Sequence, residues 1–229
     1  MRIIVACAGP QTKWGLHLGI PSHFVPVLGE PLLYRTIRQA LAACSDIHVT
    51  APVGDARYSL YGTVMHQRGP GWASEFASTR DLWSDTERTV LVYGDVAWSD
   101  AAFATVMEPA DGFRHYGRAA GSAATGCRWG EGFALSWTPD VHADIDAALE
   151  VVHRERAIDQ ETAKTSRRHR VHPTGWMLDR AMCGVDLRVH NPRPKTFVDL
   201  TVLHPGDLTD DFDRPADIAR HPWTRAVTV

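Results

Sequence analysis

The sequence predicts an α/β protein whose central β-sheet is mostly parallel, and three observations support this prediction. Residues 3–6 (IIVA) are a short apolar run, typical of a buried parallel strand. Residues 33–43 repeat apolar side chains at helical spacing, and residues 47–50 (IHVT) are predicted to form the next strand. Strand, helix and strand in this order form a βαβ unit, which implies a parallel sheet. Residues 89–93 (TVLVY) give the strongest strand signal in the chain.

The other elements are predicted from the same periodicities. In the helix at 33–43, we expect Arg35 and Arg38 on the face opposite the apolar side chains. Further helices are predicted at 74–83, 100–107, 144–154 and 175–183, further strands at 133–137 and 196–202, a loop plus a strand within 112–132, a polar excursion or helix end at 155–175, and an acidic loop at 207–217. The sequence shows no repeat, low-complexity segment or linker, so residues 1–229 are predicted to form a single domain.

Composition places the chain among ordinary globular proteins and argues against several functional classes. A formal net charge of −3 gives no overall attraction to nucleic acid or anionic membranes, so an anionic substrate needs a local basic pocket. The four cysteines are far apart and form no CxxC pair, which favours a reduced intracellular protein. No apolar run approaches the roughly 20 residues that span a bilayer. No signal-peptide pattern follows Met1, so we expect a cytoplasmic location.

The loop after the first strand is the first candidate binding element. Residues 6–13 read ACAGPQTK, and a glycine-containing turn there leaves backbone N–H groups free to face phosphates. Ala6, Ala8 and Gly9 belong to this backbone, and Lys13 adds a positive charge. The spacing matches neither a P-loop nor a GxGxxG fingerprint. An ordinary surface loop therefore stays the alternative.

Asp95 is the second candidate, because it follows a strongly predicted strand. Ligands of open parallel sheets bind outside the carboxyl ends of the strands. A carboxylate at that position, with Gly94 allowing close approach, suits Mg²⁺, which is often shared with substrate phosphates. The alternative is a helix-capping or turn aspartate. We interpret Asp100, a few residues later, as the cap of the next helix.

An acidic segment near the C-terminus is the third candidate. Four acids fall within residues 210–217, and they repel one another unless solvent or a cation compensates their charges. Asp211 and Asp213 alternate about Phe212, so both carboxylates face the same way in an extended segment. Such a pair can complete a metal site begun by Asp95. A solvated acidic turn is the alternative.

The Arg- and Gly-rich stretch 112–132 supplies candidate substrate contacts. Arg118 is one of several arginines there that can grip phosphates or a carboxylate, and Glu131 can accept hydrogen bonds from sugar hydroxyls. For each residue taken singly, a surface loop is the alternative. Residues 166–170 (SRRHR) lack neighbouring aromatics and are predicted to be a solvated face rather than a nucleic-acid patch. The sequence contains no HExxH and no GxSxG motif, which disfavours zinc and serine-hydrolase chemistry.

Four segments in order along the chain resemble the nucleotidyltransferase-like superfamily with the GT-A type fold. The similarity is greatest to NTP-transferase-domain proteins related to molybdenum cofactor guanylyltransferase and to sugar-phosphate nucleotidyltransferases. Residues 6–13 resemble the family's first loop, and PSHFVPVLGEPL at 21–32 resembles its PK…PV-x-G-x-P-L segment. VYGDV at 92–96 resembles the strand end that carries the metal-binding aspartate, and DFDRPAD at 211–217 resembles the D-x-D-T-P-E-D ending.

The resemblance implies both an architecture and a set of site residues. The implied fold is a three-layer αβα sandwich with a mostly parallel, Rossmann-like central sheet. The implied cofactor is Mg²⁺ (or Mn²⁺), and the implied partners are an NTP or nucleotide-sugar and a phosphorylated small molecule or sugar acceptor. The predicted residues are Ala6, Ala8, Gly9, Lys13, Ser74 and Gly94 for the nucleotide, Arg118 and Glu131 for the substrate, and Asp95, Asp211 and Asp213 for the metal, with Lys13, Asp95 and Asp213 catalytic.

Two departures from the family pattern bear on the chemistry. The lysine of the family's PK segment is Ser22 here, and the basic residue of the first loop, usually arginine, is Lys13. Those two cations normally stabilise charge that develops on the triphosphate during attack. His23 stands beside Ser22, but in an extended segment its side chain would point in a different direction.

The predicted function is metal-dependent nucleotidyl transfer. The enzyme would join an NTP to a sugar or polyol phosphate and release pyrophosphate, largely by positioning and electrostatics. Two alternatives stay open: a glycosyltransferase that uses a nucleotide-sugar donor, and a catalytically degenerate nucleotide-binding protein. A homodimer is an open alternative to a monomer.

Overall fold

Strands and helices alternate along a computed structural model that describes residues 1–9, 11, 13–69, 74–128, 130–162, 175–184, 187, 200–202 and 206–224. The strands are β1 (Arg2–Ala6), β2 (Pro26–Val27), β3 (Glu30–Pro31), β4 (Ile47–Pro52), β5 (Val64–Arg68), β6 (Thr89–Tyr93), β7 (Val96–Ala97), β8 (Arg114–Arg118), β9 (Glu131–Trp137), β10 (Leu200–Val202) and β11 (Asp210–Asp211). The helices are α1 (Leu32–Ala43), α2 (Glu75–Thr79), α3 (Asp100–Met107), α4 (His142–Thr162), α5 (Gly175–Met182) and α6 (Pro215–Arg220).

Seven of the described strands form the central sheet, in the order β10-β8-β9-β6-β1-β4-β5. β1 pairs in parallel with both β4 and β6, and β9 runs antiparallel to its neighbours β6 and β8. Because β1 and β6 are adjacent and parallel, the loops that follow them lie side by side at the carboxyl ends of these two strands. This topology brings the predicted nucleotide loop next to Asp95.

Apolar side chains fill both faces of the sheet. Ile3 and Val5 of β1 pack in one cluster with α1 and α3, whereas Ile4 faces the opposite side and packs with α2, α4 and α5. This follows from the strand period of two, which sends successive side chains to opposite faces. Helices therefore cover both faces, and the predicted α/β class with a mostly parallel sheet is confirmed.

Most predicted elements are confirmed in type, with ends shifted by a few residues. β6 and α3 have the predicted bounds, and α4 continues to Thr162, so the helix-end interpretation of the polar stretch is correct as far as that residue. β10 agrees with the last part of the strand predicted at 196–202. Residues 163–174, with the predicted arginine-rich face, lie outside the described residues, as do 196–199.

The acidic loop predicted at 207–217 contains β11 and the start of α6, because pairing of β11 with β7 and the proline at position 215 organise the segment. One strand of the central sheet and two side-chain placements also differ from the sequence predictions. β5 was not predicted, because its residues (VMHQR) contain no apolar run and it forms an edge of the sheet. Arg35 is buried rather than on the solvent face, since it donates to the Asp100 carboxylate at 3.0 Å and to the Trp98 carbonyl at 3.3 Å. Asp100 does not cap α3; the cap is Ser99, whose hydroxyl accepts from Ala102 N at 3.0 Å.

Among the described residues, no helix combines the length and the apolar character needed to cross a bilayer. The 21-residue α4, the longest described helix, carries several charged side chains.

Candidate functional site

The C-terminal acidic segment lies directly beside Asp95. β11 pairs antiparallel with β7, so that Asp211 is opposite Val96, the residue after Asp95. Phe212 N donates a hydrogen bond to the Asp95 carbonyl at 2.8 Å, and the fully buried Phe212 ring anchors the segment in a small apolar cluster. Two acidic elements that are over 110 residues apart in sequence therefore meet at the carboxyl end of β6.

The carboxylates in this region influence one another strongly. Burial and the negative charges of Glu131, Asp213, Asp95 and Asp210 raise the pKa of Asp211 well above its ordinary value. Glu131 is the first residue of β9, which runs antiparallel to β6. It therefore lies at the carboxyl end of β6, where Asp95 follows. A cation placed among these groups would relieve their mutual repulsion.

Lys13 supplies the positive charge that faces this cluster. Its ammonium group forms an ion pair with the Asp213 carboxylate, although the two residues are 200 positions apart. Burial disfavours the charged ammonium, but contact with Asp213 and the negative charges of Asp211 and Glu131 outweigh it and raise the pKa of Lys13. Both partners stay partly exposed, with 55% and 40% of their side-chain surfaces accessible. Solvent therefore reaches the pair, and so can a ligand.

The chemistry of these side chains fits a hard divalent cation. Mg²⁺ prefers oxygen ligands and commonly takes one or two protein carboxylates together with substrate phosphates. Asp95, Asp211 and Asp213 supply such oxygens, and a cation among them would compensate the negative charges that, after burial, raise the pKa of Asp211. Within the described part of the chain, no three His, Cys, Asp or Glu side chains form a ready-made metal cage. The donor set thus fits a cation that keeps other ligands.

Ser22, which stands where the resembled family has a lysine, lies in a neutral hydrogen-bond network. The Gln11 carboxamide accepts from Ser22 N at 2.9 Å and donates to Ser22 Oγ at 2.9 Å. Its nitrogen also lies 3.0 Å from His23 Nδ1, which in turn lies 2.8 Å from the Tyr58 hydroxyl. Ser22 and His23 are both buried beneath this contact. The loop after β1 is thereby fastened to the turn at 22–24.

His23, the neighbour of Ser22, does not supply a positive charge at this position. Burial lowers the pKa of His23 to about 3, although the charge of Asp55 opposes the effect. The ring is therefore neutral at physiological pH and acts within the Gln11 and Tyr58 network. Gln11 and Tyr58 were not among the predicted site residues, because a lone glutamine or tyrosine carries no spacing signal.

Gly94 has a packing role that the sequence did not reveal. A Cβ on Gly94 would collide with Cys7 Sγ and lie 3.2 Å from the Ala6 carbonyl oxygen, which already accepts from Gly94 N at 3.0 Å. The residue is buried against Cys7 and the end of β1, and its predicted contact with a nucleotide stays a prediction. Burial and the charge of Asp95 raise the pKa of Cys7 well above its ordinary value, so Cys7 is a neutral thiol behind the site.

Arg118 fixes the acidic segment, and its predicted contact with a substrate stays a prediction. It is 4% exposed and donates to the Thr209 carbonyl at 2.8 Å and to Asp210 Oδ1 at 3.2 Å. Asp210 is completely buried, and its other carboxylate oxygen lies 3.4 Å from Arg220. Two arginines thus hold Asp210, which positions its neighbour Asp211. Arg118 lies beside the site, but its polar groups are engaged.

The remaining predicted residues fall into two groups. Ala6, Ala8 and Gly9 end β1 and begin its loop, next to Gly94 and hence beside Asp95. Ser74 caps α2, with its hydroxyl accepting from Ala77 N at 3.1 Å and lying 3.2 Å from His153 Nε2. Helix capping accounts for the serine at this position, and a nucleotide contact stays a prediction.

Comparison with known proteins bears on the fold. No protein-family model matches the sequence, and no curated protein matches it. Solved structures do match. A protein from Bacillus anthracis, described as a glucose-1-phosphate thymidylyltransferase, is 12% identical with a TM-score of 0.61, covering all of this chain and 97% of its own. This chain shares the fold of that protein. An inositol-1-phosphate CTP transferase from T. maritima is 11% identical with a TM-score of 0.54, over 94% and 90% of the two chains.

A third structure extends the comparison. It is described as a mannose-1-phosphate geranyltransferase from Thermus thermophilus, is 16% identical and has a TM-score of 0.53, covering 93% of this chain and 76% of its own. At these identities the likeness establishes the fold, and the predicted fold class is confirmed. Closeness to the molybdenum cofactor guanylyltransferase type stays a prediction, as do the single domain, the dimer and the cytoplasmic location.

Proposed function

We propose that the chain is a metal-dependent nucleotidyltransferase that joins an NTP to a sugar or polyol phosphate and releases pyrophosphate. The observation that carries the proposal is the meeting of Lys13 with Asp95, Asp211, Asp213 and Glu131 at the carboxyl ends of β1 and β6. The fold is shared with proteins described as thymidylyl and CTP transferases that act on phosphorylated sugars or inositol. A site with one flexible cation and several carboxylates suits a metal–triphosphate complex.

The loop after β1 would bind the phosphates of the NTP. Ala8 and Gly9 offer backbone N–H groups at the end of a parallel strand, and Lys13 adds an ammonium on a flexible stem. Gln11 holds this loop on Ser22 and His23, so part of its conformation is fixed before a ligand arrives. Such preorganisation reduces the entropy lost on binding.

The carboxylates would hold Mg²⁺ (or Mn²⁺). Asp95 comes from the β6 loop, and Asp211 and Asp213 come from β11 and the residues after it, which the contact between Phe212 N and the Asp95 carbonyl keeps in place. When bound, the metal would neutralise phosphate charge and orient the leaving group.

The proposed step is an in-line displacement at the α-phosphorus. A phosphate oxygen of the acceptor forms a bond to this phosphorus while the bond to the bridging oxygen breaks, and pyrophosphate leaves with the electron pair. Lys13 would stabilise the charge that accumulates on the phosphates. Glu131 would accept hydrogen bonds from acceptor hydroxyls, whereas Arg118 acts through Asp210 and the acidic segment.

A pyrophosphate-release assay tests the proposal directly. ATP, GTP, CTP, UTP and dTTP are each combined with hexose-1-phosphates and with polyol phosphates, in the presence of Mg²⁺ or of EDTA. We expect release for at least one pair, only with metal, and its loss in Asp95→Ala. Asp85→Ala is the matched control, because Asp85 is a highly exposed aspartate outside the site. If the wild-type protein releases no pyrophosphate from any pair, the proposed reaction is wrong.

A second candidate is favoured by the neutral network at Gln11, Ser22 and His23. A glycosyltransferase with a nucleotide-sugar donor must stabilise a leaving diphosphate, which carries less charge than a triphosphate and depends less on the cation that Ser22 replaces. Release of UDP or GDP from nucleotide-sugars, with no pyrophosphate from any NTP, would support it. Tight nucleotide binding without either product would instead identify a catalytically degenerate binding protein.

A further inference from the structure

Lys13 and Asp213 are paired with each other before any ligand is present, although each has a separate role in the proposed site. We infer that Lys13 acts as an internal counter-ion that competes with the divalent metal for Asp213, so that metal and triphosphate bind cooperatively. This inference rests on the proposed site, because it assumes that the two ligands are a divalent cation and a phosphate chain.

The electrostatics of the pair support competition. The Lys13 ammonium contacts the carboxylate of Asp213, a proposed metal ligand, and the negative charges of Asp211 and Glu131 also attract it. A second cation entering the same cluster would meet the positive charge of Lys13 at short range and would have to share or displace it. Metal alone is therefore expected to bind weakly, although several carboxylates surround the position.

A triphosphate would remove this competition. Lys13 lies in the loop after β1, where the phosphates are proposed to bind, and its four-carbon stem lets the ammonium turn from one anion to another. Once the ammonium contacts phosphate, Asp213 is available to the metal. Because coupling between two ligands is reciprocal, bound metal must favour phosphate binding by the same factor.

The competition can be measured without turnover. Mn²⁺ binding is followed by electron paramagnetic resonance and tripolyphosphate binding by calorimetry, each alone and then together, with correction for the complex that they form in solution. In Lys13→Met we expect Mn²⁺ alone to bind about two- to fivefold more tightly, the factor that loss of an exposed ion pair allows. Tripolyphosphate should bind more weakly, and the cooperativity seen in the wild-type protein should fall towards none.

Two controls separate this inference from simpler effects. Arg214→Gln removes a positive charge next to Asp213 in sequence, at an exposed residue, and should leave Mn²⁺ affinity unchanged. Asp213→Asn should weaken Mn²⁺ binding. The inference is overturned if Lys13→Met leaves or lowers Mn²⁺ affinity, or if Arg214→Gln raises it equally, since net charge would then explain the gain. Neither measurement involves pyrophosphate release, so a failed transfer reaction and a failed coupling are distinguishable.

Discussion

Asp210 and Asp211 are consecutive residues of β11 whose carboxylates have opposite surroundings. Asp210 is completely buried and lies between Arg118 at 3.2 Å and Arg220 at 3.4 Å. Asp211 faces Glu131, Asp213 and Asp95, and these charges together with burial raise its pKa. The alternation of a strand sends the two side chains to opposite faces, so Asp210 stabilises the segment and Asp211 faces the candidate site.

Amide substitutions at these two positions should therefore have opposite effects on stability. In EDTA, Asp211→Asn should raise Tm by about 2–4 °C, since relief of repulsion worth about 1 kcal/mol has that effect in a chain of this size. Asp210→Asn should lower the free energy of unfolding by about 3–5 kcal/mol, because it leaves buried arginine charge uncompensated. Thermal and urea unfolding of both variants measure the two effects. A loss of stability in Asp211→Asn would contradict the proposed charge excess.

The packing of Gly94 on Cys7 yields a second prediction. Gly94→Ala should destabilise the protein by about 1–3 kcal/mol, because its new methyl group has no space beside Cys7 Sγ. The double variant Gly94→Ala with Cys7→Ala should recover part of that loss, since the thiol is removed. A double-mutant cycle by urea unfolding measures the coupling between the two residues. If the two substitutions lower the free energy of unfolding additively, the contact between the new methyl group and Cys7 Sγ does not cause the loss in Gly94→Ala.

A third prediction concerns Ser22, which stands where the resembled family has a lysine. Ser22→Lys alone should destabilise the protein, because Ser22 is 2% exposed and its hydroxyl is bonded to Gln11. Combined with Gln11→Ala, which vacates the adjacent position, the new lysine should reach the phosphates. If transfer is limited by charge stabilisation, pyrophosphate release should rise about tenfold or more, a part of what one such donor contributes. Gln11→Ala alone is the control, and an equal rise there would refute the explanation.

Buried histidines predict how stability depends on pH. The pKa of His23 is lowered to about 3 and that of His115 to about 4, in both cases because burial disfavours the charged ring. In the unfolded chain a histidine binds its proton with a pKa near 6.5. The contribution of each buried, neutral ring to the free energy of unfolding is therefore fully present above that pH, and it is lost as the pH falls towards the lower pKa of the folded state. Each histidine should contribute roughly 2 kcal/mol of loss between pH 8 and 5.

A non-titrating variant tests the origin of this dependence. Urea unfolding at pH 8 and pH 5 should show a smaller difference in His115→Gln than in the wild-type protein, by roughly the contribution of one histidine. His17→Gln, at an exposed residue, should leave the difference unchanged. An unchanged difference in His115→Gln would exclude this histidine as a cause.

The sequence alone predicted the class of the fold and the places where chemistry was to be expected. Local patterns were sufficient to predict that α1, α3 and β6 exist and of which type they are, because apolar side chains recur with the period of each element. They did not predict that Arg35 of α1 is buried. The polar edge strand β5 was missed for the same reason, since it has little apolar pattern to report. Asp95 could be singled out because a strongly predicted strand ends just before it.

Only the tertiary structure decided which of the candidate residues share a site and in what role. Pairing of β7 with β11 brings Asp211 beside Asp95, and the same pairing turns Asp210 towards Arg118 and away from the site. Gly94 packs on Cys7, and Gln11 closes over Ser22 and His23. These relationships depend on long-range contacts and on burial. A one-dimensional pattern records neither, because partners such as Lys13 and Asp213 are 200 positions apart.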